Sequence, residues 1–544
     1  MRRLNAHKPA NATQKMDPVR LHLRSTARSS NFLSRNSGKQ QPRPNLCILV
    51  SVLISLSLLL CYLFLFPKDP APSWGKRYTI LIDGGSTGTR IHVFGYAGSS
   101  GMTLAFDFGD GGLASMRVNP GLSAYSGDPD LAGRSLQELI EFGKQRVPRD
   151  QWAHTEIRLM ATAGMRLLEL PIQYKILDSC RVALRDSGFK FQDEWASVIT
   201  GSDEGIYAWV VANYALGTLG GDPLQTTGIV ELGGASAQVT FSTGESLPTE
   251  FSRTVKFGNI TYNLYSHSFL HLGQNVAFES LRELLLSREY NSANDNVREG
   301  VLIDPCVPKG YSDTGPWKFL PGPLDNKNRS ISIIQSGGNF SECRTAAYKL
   351  LQEGKDKCTH RQCYIGSAFT PKLQGKFLAT ENFFYTSKFF GLAPEALLSD
   401  FMTAGQHFCG EDWPALKKRH SSLHEEDLLH YCFSSAYIVA LLHDSLGISL
   451  DDRRIRFTNQ VGNVPLDWAL GAFILRSSES VDSKVTHRHS MIVSDDPHIL
   501  LLIGGTLIIF ALIGWFISKW RKPQLKTIYD LEKGRYIITR VSRH

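Results

Sequence analysis

The chain has 544 residues, of which 42% are apolar, so it can fill the cores of several domains. Its formal net charge of +8 is carried by its two ends, since residues 1–45 hold ten Lys or Arg against one acid and residues 519–544 hold eight against two. The part between them is therefore mildly acidic, which argues against nucleic-acid binding. Basic ends of this kind suit the anionic cytoplasmic leaflet of a membrane.

The first segment of the chain, residues 1–45, is rich in Arg, Ser and Asn and has no hydrophobic periodicity, which predicts a disordered tail. Residues 46–66 form an uncharged run of 21 residues, long enough to cross a bilayer as a helix. We expect this run to remain as an anchor rather than to be removed as a signal peptide. The reason is that 45 residues precede it and no small-residue cleavage pattern follows it.

A second uncharged run, residues 499–517, predicts another transmembrane helix, which we assign to 499–518. Basic residues flank the outer ends of both runs, so both termini, including the tail 519–544, are predicted to be cytoplasmic. Residues 67–498 would then form a domain in the lumen of the Golgi or another endomembrane vesicle, or outside the cell. This orientation makes the chain a membrane protein with two spans.

Cysteines and glycosylation sequons agree with an oxidising compartment for residues 67–498. Nearest-neighbour pairing of the seven cysteines in this part would give Cys306–Cys343, Cys358–Cys363 and Cys409–Cys432, with Cys180 free. The sequence alone leaves this connectivity open. Three Asn-x-Ser/Thr sequons, at Asn259, Asn328 and Asn339, predict a glycoprotein.

Strand and helix patterns alternate along this central domain. Strands are predicted in 77–106 and just before Thr200, with helices in 131–147 and 172–187 between them. Residues from about 260 to 440 have a more helical pattern. This mixture predicts an α/β fold built in layers.

One pattern occurs twice in the domain. ILIDGGSTGTR (80–90) is matched by IVELGGASAQ (229–238), with the two acids 148 positions apart, and each copy has the pattern of a buried strand, an acid, a Gly-rich turn and a second strand. Glycines in such a turn let backbone N–H groups approach an anion, and the acids Asp83 and Glu231 can hold a divalent cation. The duplication therefore predicts two related lobes that grip a metal–polyphosphate between them.

Five motifs resemble, in order, the conserved regions of the apyrases, or nucleoside triphosphate diphosphohydrolases. They are DGGSTGTR (83–90), ATAGMR (161–166), SDEGIYAW (202–209), GIVELGGASAQ (228–238) and VPLDWALG (464–471). The likeness looks closest to plant-type membrane apyrases. The resemblance implies a two-lobe, actin-like (ribonuclease H-like) ATPase fold. It also implies metal-dependent removal of terminal phosphates from nucleoside tri- and diphosphates, down to the monophosphate.

The resemblance also implies roles for individual residues. Glu204 matches the general base, with Ser236 and Gln238 placing the attacking water, and Asp83 and Glu231 match the acids that hold the cation, Ca²⁺ or Mg²⁺. Many relatives have Asp where this chain has Glu231. The Cys409–Cys432 pair also matches a disulfide of the family. The nucleotide-binding set implied by the resemblance is Asp83, Gly84, Gly85, Ser86, Thr87, Gly88, Thr89, Arg90, Thr162, Gly233, Gly234, Ala235 and Ser236, with Phe384 or Tyr385 and Tyr437 as an aromatic clamp on the base.

Two other hypotheses about the function of the chain stay open on the sequence alone. A chaperone- or kinase-like module of the same superfamily would use the same nucleotide site, and an inactive glycoprotein scaffold would keep the fold without the chemistry. Hydrolysis without an acceptor, and activity on diphosphates, would separate the enzyme from the first of these. The intact set of Asp83, Glu204 and Gln238 argues against the second. The sequence does not fix the oligomeric state.

Overall fold

A computed structural model describes residues 76–98, 106–108, 112–286, 297–298, 301–314, 333–478, eight positions within 505–515, 525–530 and 534–540. The predicted tail and first span, residues 1–66, lie outside the described residues, as does Asn328. The described positions of the second predicted span are helical, and Leu507, Ile508 and Phe510 are exposed there. Within the described part of the chain, no helix is both long and apolar enough to cross a membrane.

A first mixed sheet is built around one buried strand. β1 pairs antiparallel with β2 and parallel with β5, and the order across the sheet is β3-β2-β1-β5-β6, with β4 paired to β2. Ile80, Leu81 and Ile82 of β1 are at most 2% exposed, because both faces of the strand are covered. The strands of this sheet are β1 (Arg77–Gly84), β2 (Thr89–Gly98), β3 (Phe106–Asp107), β4 (Leu113–Val118), β5 (Glu156–Ala161) and β6 (Ala196–Val198).

Helices cover one face of this sheet and follow its strands in the chain. The predicted helix 131–147 is divided at Leu136, and the second predicted helix begins two residues earlier than expected. Leu139, Ile176 and Leu184 pack with Ile80 and Ile82 in one core. The helices of this region are α1 (Asp130–Ser135), α2 (Gln137–Arg146), α3 (Ala163–Arg166), α4 (Leu170–Arg185) and α5 (Gly201–Ala215).

A second mixed sheet repeats the plan of the first. β7 pairs antiparallel with β8 and parallel with β17, in the order β18-β17-β7-β8-β10-β9. The strands of the second half of the domain are β7 (Gly228–Leu232), β8 (Ser236–Ser242), β9 (Ser252–Phe257), β10 (Ile260–Leu270), β11 (Val297–Arg298), β12 (Val301–Asp304), β13 (Ser312–Thr314), β14 (Ile333–Ser336), β15 (Cys363–Ile365), β16 (Ala368–Phe369), β17 (Phe377–Glu381), β18 (Ile455–Phe457), β19 (Gln460–Val461) and β20 (Val464–Pro465).

Helices and disulfides surround this second sheet. The predicted disulfides Cys306–Cys343, Cys358–Cys363 and Cys409–Cys432 are confirmed, and Cys180 is free and buried. The region 260–440 is less uniformly helical than its pattern suggests, since it begins with the 11-residue strand β10. Its helices are α6 (Gln274–Leu286), α7 (Phe340–Leu351), α8 (Asn382–Phe389), α9 (Leu398–Cys409), α10 (Trp413–Arg419) and α11 (Glu425–Val439). Beyond the domain, β21 (Leu525–Asp530) and β22 (Arg535–Arg540) form a hairpin within the predicted tail.

Two helices lie between the sheets and join them through one core. This core contains Leu81 of the first sheet, Ile229 of the second, Trp209 of α5 and Phe473 of α12, the helix of residues 468–478. A methyl group at Gly471 would lie 1.8 Å from the carbonyl oxygen of Tyr207, so the two helices touch backbone to backbone. Because α5 is buried on nearly all sides, its first turn is held in a fixed position relative to both sheets.

Candidate active site

The duplicated segments form equivalent hairpins, one in each sheet. Asp83 on β1 pairs across its hairpin with Arg90, and Glu231 on β7 pairs with Gln238. β5 runs parallel to β1 as β17 runs parallel to β7. Each acid therefore stands at the carboxyl end of a strand with a parallel neighbour, the place where α/β sheets bind ligands.

The turns of the two hairpins face each other across a cleft. A methyl group at Gly234 would lie 2.7 Å from Ser86 Oγ, so glycine is what allows this approach. The cleft holds about 690 Å³ of space, part of which is open solvent. It is lined by Asp83, Gly85, Ser86, Thr87, Gly88, Arg90, Arg117, Thr162, Ala163, Glu204, Glu231, Gly233, Gly234, Ala235, Ser236, Gln238, Glu381, Asp467 and Trp468.

Glu204 reaches the cleft from the first turn of α5. Thr200 caps this helix, and its Oγ1 accepts a hydrogen bond from Asp203 N at 3.1 Å. Glu204 is 8% exposed, and its Oε2 accepts a hydrogen bond from Arg166 Nη2 at 2.7 Å. Burial raises the pKa of Glu204, and the ion pair with Arg166 opposes that rise. The carboxylate is thus a stronger proton acceptor than an exposed glutamate while it keeps a cationic partner.

Ser236 and Gln238 belong to the same hydrogen-bond network. Gln238 Nε2 donates to Ser236 Oγ at 2.6 Å, and Arg166 Nη2 also donates to Ser236 Oγ, at 3.3 Å. Both side chains are buried, at 2% and 1% exposure. The network therefore holds two polar groups beside Glu204, in positions suited to orienting a water molecule.

Asp83 and Glu231 have the properties expected of acids that face a cation. Asp83 Oδ1 and Glu231 Oε2 are buried and have no hydrogen-bond partner in the protein. Burial, reinforced by neighbouring carboxylates, holds the pKa of each well above its usual range, although Arg90 partly offsets this effect for Asp83. Carboxylate oxygens are the donors that Ca²⁺ and Mg²⁺ prefer, so this pair fits such an ion.

These acids do not form a complete metal cage. Among the described residues, no group of three or more His, Cys, Asp or Glu is arranged to hold a metal ion by itself. A cation at Asp83 and Glu231 would therefore need further oxygen ligands, which phosphate groups and water molecules can supply.

Two acids in the cleft, Glu381 and Asp467, are absent from the predicted site. Glu381 ends β17 with φ of +57°, a left-handed conformation that is uncommon for residues other than glycine. The duplication contained a signal for it, because Thr162 follows β5 beside the first hairpin and Glu381 ends the equivalent strand beside the second. Asp467 lies in the fifth motif, where it accepts a hydrogen bond from Arg90 Nη1 at 3.2 Å.

Arg117 is a further cleft residue that no motif contains. It lies on β4 directly opposite Arg90 of β2, and its Nη2 donates to Thr87 Oγ1 at 2.7 Å. The first hairpin therefore has two guanidinium groups beside it. Only the pairing of β4 with β2, which the sequence does not reveal, brings Arg117 to this place.

Some predicted site residues do not line the cleft. Gly84 and Thr89 are buried in the strands at the base of the first turn. Phe384 and Tyr385 lie on α8 with their rings 5.6 Å apart, and Tyr385 is 44% exposed. Tyr437 is fully buried, and its hydroxyl donates to the carbonyl oxygen of Leu272 at 2.7 Å. The structure thus places Tyr437 in the core of the second lobe.

Two glycine-rich hairpins, two acids that each have a buried oxygen without a hydrogen-bond partner, and the buried carboxylate of Glu204 define an α/β protein with a site suited to phosphate chemistry. A solved structure described as nucleoside triphosphate hydrolases from Neospora caninum shares this fold, with a TM-score of 0.54 and 17% identity, over 79% of this chain and 97% of that one. The likeness at this level of identity concerns the fold.

Sequence comparison identifies the family. The model of the GDA1/CD39 (nucleoside phosphatase) family matches residues 72–488, and the chain belongs to this family. It is 56% identical to "Probable apyrase 6" of Arabidopsis thaliana over 97% of this chain and 96% of that one. It is 30% identical to "Ectonucleoside triphosphate diphosphohydrolase 3" of Mus musculus over 79% and 83% of the two chains. The predicted resemblance to plant-type apyrases is confirmed, and the chain is a nucleoside phosphohydrolase.

Proposed function

We propose that this chain removes the terminal phosphate from nucleoside triphosphates and then from diphosphates, and that it stops at the monophosphate. The observation that carries the proposal is the pair of hairpins facing each other beside Glu204. Each turn offers backbone N–H groups to phosphate oxygens, so a diphosphate can bridge the two turns. A monophosphate contacts one turn and loses the charge-assisted hydrogen bonds of the other.

Water attack in this cleft needs positioning and one proton acceptor more than covalent help. We assign the proton acceptor to Glu204, whose raised pKa favours that role. Ser236 and Gln238 orient the water, because their side chains are hydrogen-bonded to each other beside the carboxylate of Glu204. Arg166 holds Glu204 in place through the 2.7 Å contact.

The residues that would hold a divalent cation are Asp83 and Glu231, with Ca²⁺ or Mg²⁺ as the candidates. When bound, the cation supplies neutralisation of the charge on the phosphate oxygens. Thr87, Arg90 and Arg117 stand on the first hairpin's side of the cleft, where they can contact phosphate directly. Glu231 has one methylene group more than Asp, so its carboxylate reaches further into the cleft and changes the space that is left for the cation.

The topology of the chain is also part of this proposal. We assign residues 1–45 and 519–544 to the cytoplasm, 46–66 and 499–518 to membrane helices, and 67–498 to the lumen or the outside. Uncharged runs with basic outer flanks support this arrangement. Asn259 is exposed at the turn between β9 and β10, which suits glycosylation. Tags at both termini should be protease-sensitive in intact vesicles, and glycosidase should lower the mass of the protein.

Phosphate release by the purified full chain tests the catalytic part of the proposal. ATP and ADP, and the guanosine and uridine series, are supplied with Ca²⁺, with Mg²⁺ or with a chelator. We expect release from both tri- and diphosphates with a cation present, and loss of release with the chelator. Transfer to an added acceptor in place of water would contradict the proposal and favour a kinase-like module.

A further inference from the structure

A second cavity lies at the end of the first sheet opposite the phosphate hairpin. It is an open cavity between the amino ends of β1 and β5 and the end of α12, with about 1370 Å³ of space that includes open solvent. Arg77 from β1, Arg158 from β5 and Arg476 from α12 contribute to its wall. The catalytic cleft is at the carboxyl end of the same strands, so the two cavities share no residue.

The described wall of this cavity carries more positive than negative charge. Three arginines line it, whereas Glu156 is the one carboxylate among the described lining residues. Glu156 is moreover shared between two cations, since it accepts from Arg158 Nη2 at 3.0 Å and from Lys190 Nζ at 3.1 Å. One carboxylate that is shared with Lys190 does not offset the charges of both Arg158 and Arg476.

Arg158 is held there in spite of its burial. Its side chain is 11% exposed, and its guanidinium carbon lies 3.9 Å from the centre of the Trp195 ring. Burial lowers the pKa of Arg158 and the like charge of Arg476 lowers it further, while the ion pair with Glu156 opposes both effects. Because Glu156 is shared between Arg158 and Lys190, a further anion between Arg158 and Arg476 would be stabilised by both guanidinium groups. Stacking on Trp195 fixes the plane in which Arg158 presents its N–H groups.

We propose that this cavity binds a phosphate group between Arg158 and Arg476. The planar donors of arginine match phosphate oxygens in pairs, which favours phosphate over a simple halide ion. The phosphate can belong to an anionic phospholipid headgroup or to a soluble phosphate. Arg77 follows the first predicted span by eleven residues, a length that reaches at most about 40 Å, so a headgroup is within range if the proposed topology holds.

Equilibrium dialysis with radiolabelled inorganic phosphate tests this site. The full chain is placed in phosphatidylcholine nanodiscs, and its catalytic cleft is filled with a non-hydrolysable ATP analogue and Mg²⁺. We expect one additional phosphate per chain, bound about tenfold more weakly after Arg476→Gln, because one charge-assisted contact is lost. Arg158→Lys should also weaken binding, since it removes the planar donors. Arg476 is exposed, so its variant should fold and hydrolyse ATP normally.

Lys190→Gln is the matched control. It removes a positive charge bonded to the same Glu156 but does not line the cavity, so phosphate binding should stay within about twofold. Displacement of labelled phosphate by phosphatidylserine in the nanodisc would identify a headgroup site, and retention of the label would identify a soluble-phosphate site. Absence of the extra phosphate in the unsubstituted chain, or equal binding by the Arg476→Gln variant, would overturn the proposal.

Discussion

The first and second phosphate hairpins have the same backbone plan but different side chains around their acids. Asp83 stands opposite Arg90, and Arg117 lies beside the same turn, so two guanidinium groups lie next to the first hairpin. Glu231 stands opposite Gln238, and Gln238 belongs to the hydrogen-bond network beside Glu204. The duplication supplies two equivalent turns whose neighbouring side chains differ. We therefore expect the first hairpin to contribute more to phosphate binding and the second to contribute more to placing the water.

The largest expected effect comes from removing the carboxylate of Glu204, the proposed proton acceptor. Glu204→Gln should lower the turnover number by at least 10²-fold, because general-base catalysis contributes about 10²–10⁴-fold. Binding of a non-hydrolysable analogue should stay nearly unchanged, since the phosphate turns remain intact. Turnover and analogue affinity are measured on the same preparation. A variant that retains more than about a tenth of wild-type turnover would contradict the role of Glu204.

A methyl group between the two hairpin turns should change the position of both turns. Gly234→Ala places a carbon 2.7 Å from Ser86 Oγ, so the turns must separate. We expect kcat/KM for ADP to fall by about tenfold or more, because misplacement of reacting groups by a fraction of an ångström is costly. Gly244→Ala, where no atom lies within 4 Å, is the control and should behave as wild type. Equal activity of the two variants would mean that the turns do not need to approach.

Cation dependence should separate the two acids. Glu231→Gln should raise the half-saturating concentration of Ca²⁺ or Mg²⁺ by roughly tenfold, because the neighbours that perturb Glu231 are all carboxylates. Asp83→Asn should raise it less, since Arg90 already offsets part of that charge. Phosphate release is titrated with each cation. Unchanged half-saturation in both variants would place the cation elsewhere.

The pH profile of activity should respond to the ion pair between Arg166 and Glu204. The folded-state pKa of Glu204 is raised by burial, so activity is lost as the pH falls through that raised value. Arg166→Gln removes the interaction that opposes the rise, and the acid limb of kcat/KM should therefore move to higher pH. Arg185→Gln, which removes an exposed arginine bonded to Asp193, serves as the control and should leave the limb in place. An unmoved limb after Arg166→Gln would show that the limb reports another group.

The sequence predicted the fold class and both hairpins because these depend on local patterns. A buried strand, an acid and a Gly-Gly turn follow one another in both copies, so the repeat is visible without any knowledge of tertiary structure. The three disulfides also followed from the simplest pairing of neighbours. The resemblance brought Glu204, Ser236 and Gln238 together before the network that joins them was seen.

Two of the missed residues, Arg117 and Glu381, depend on strand pairing, whereas Asp467 lay within the fifth motif. Arg117 reaches the cleft because β4 pairs with β2, and Glu381 reaches it because β17 lies beside β7. Neither residue lies in one of the five motifs, and only the equivalence of β17 with β5 in the duplicated plan pointed to Glu381. For Tyr437, residue type and position alone could not show that its hydroxyl bonds to Leu272 inside a core. Such contacts are set by packing, which local patterns do not report.

The separation of kcat from KM tests most directly whether the two hairpins divide the work. Steady-state kinetics with ADP at saturating cation are compared for Arg117→Gln and Gln238→Ala. Arg117→Gln should raise KM about tenfold with kcat within about threefold, because a phosphate contact is lost. Gln238→Ala should lower kcat by about 10²-fold with little change in KM, because a preorganised donor beside the water is lost. If both variants change the same constant by the same factor, the proposed division between the hairpins is wrong.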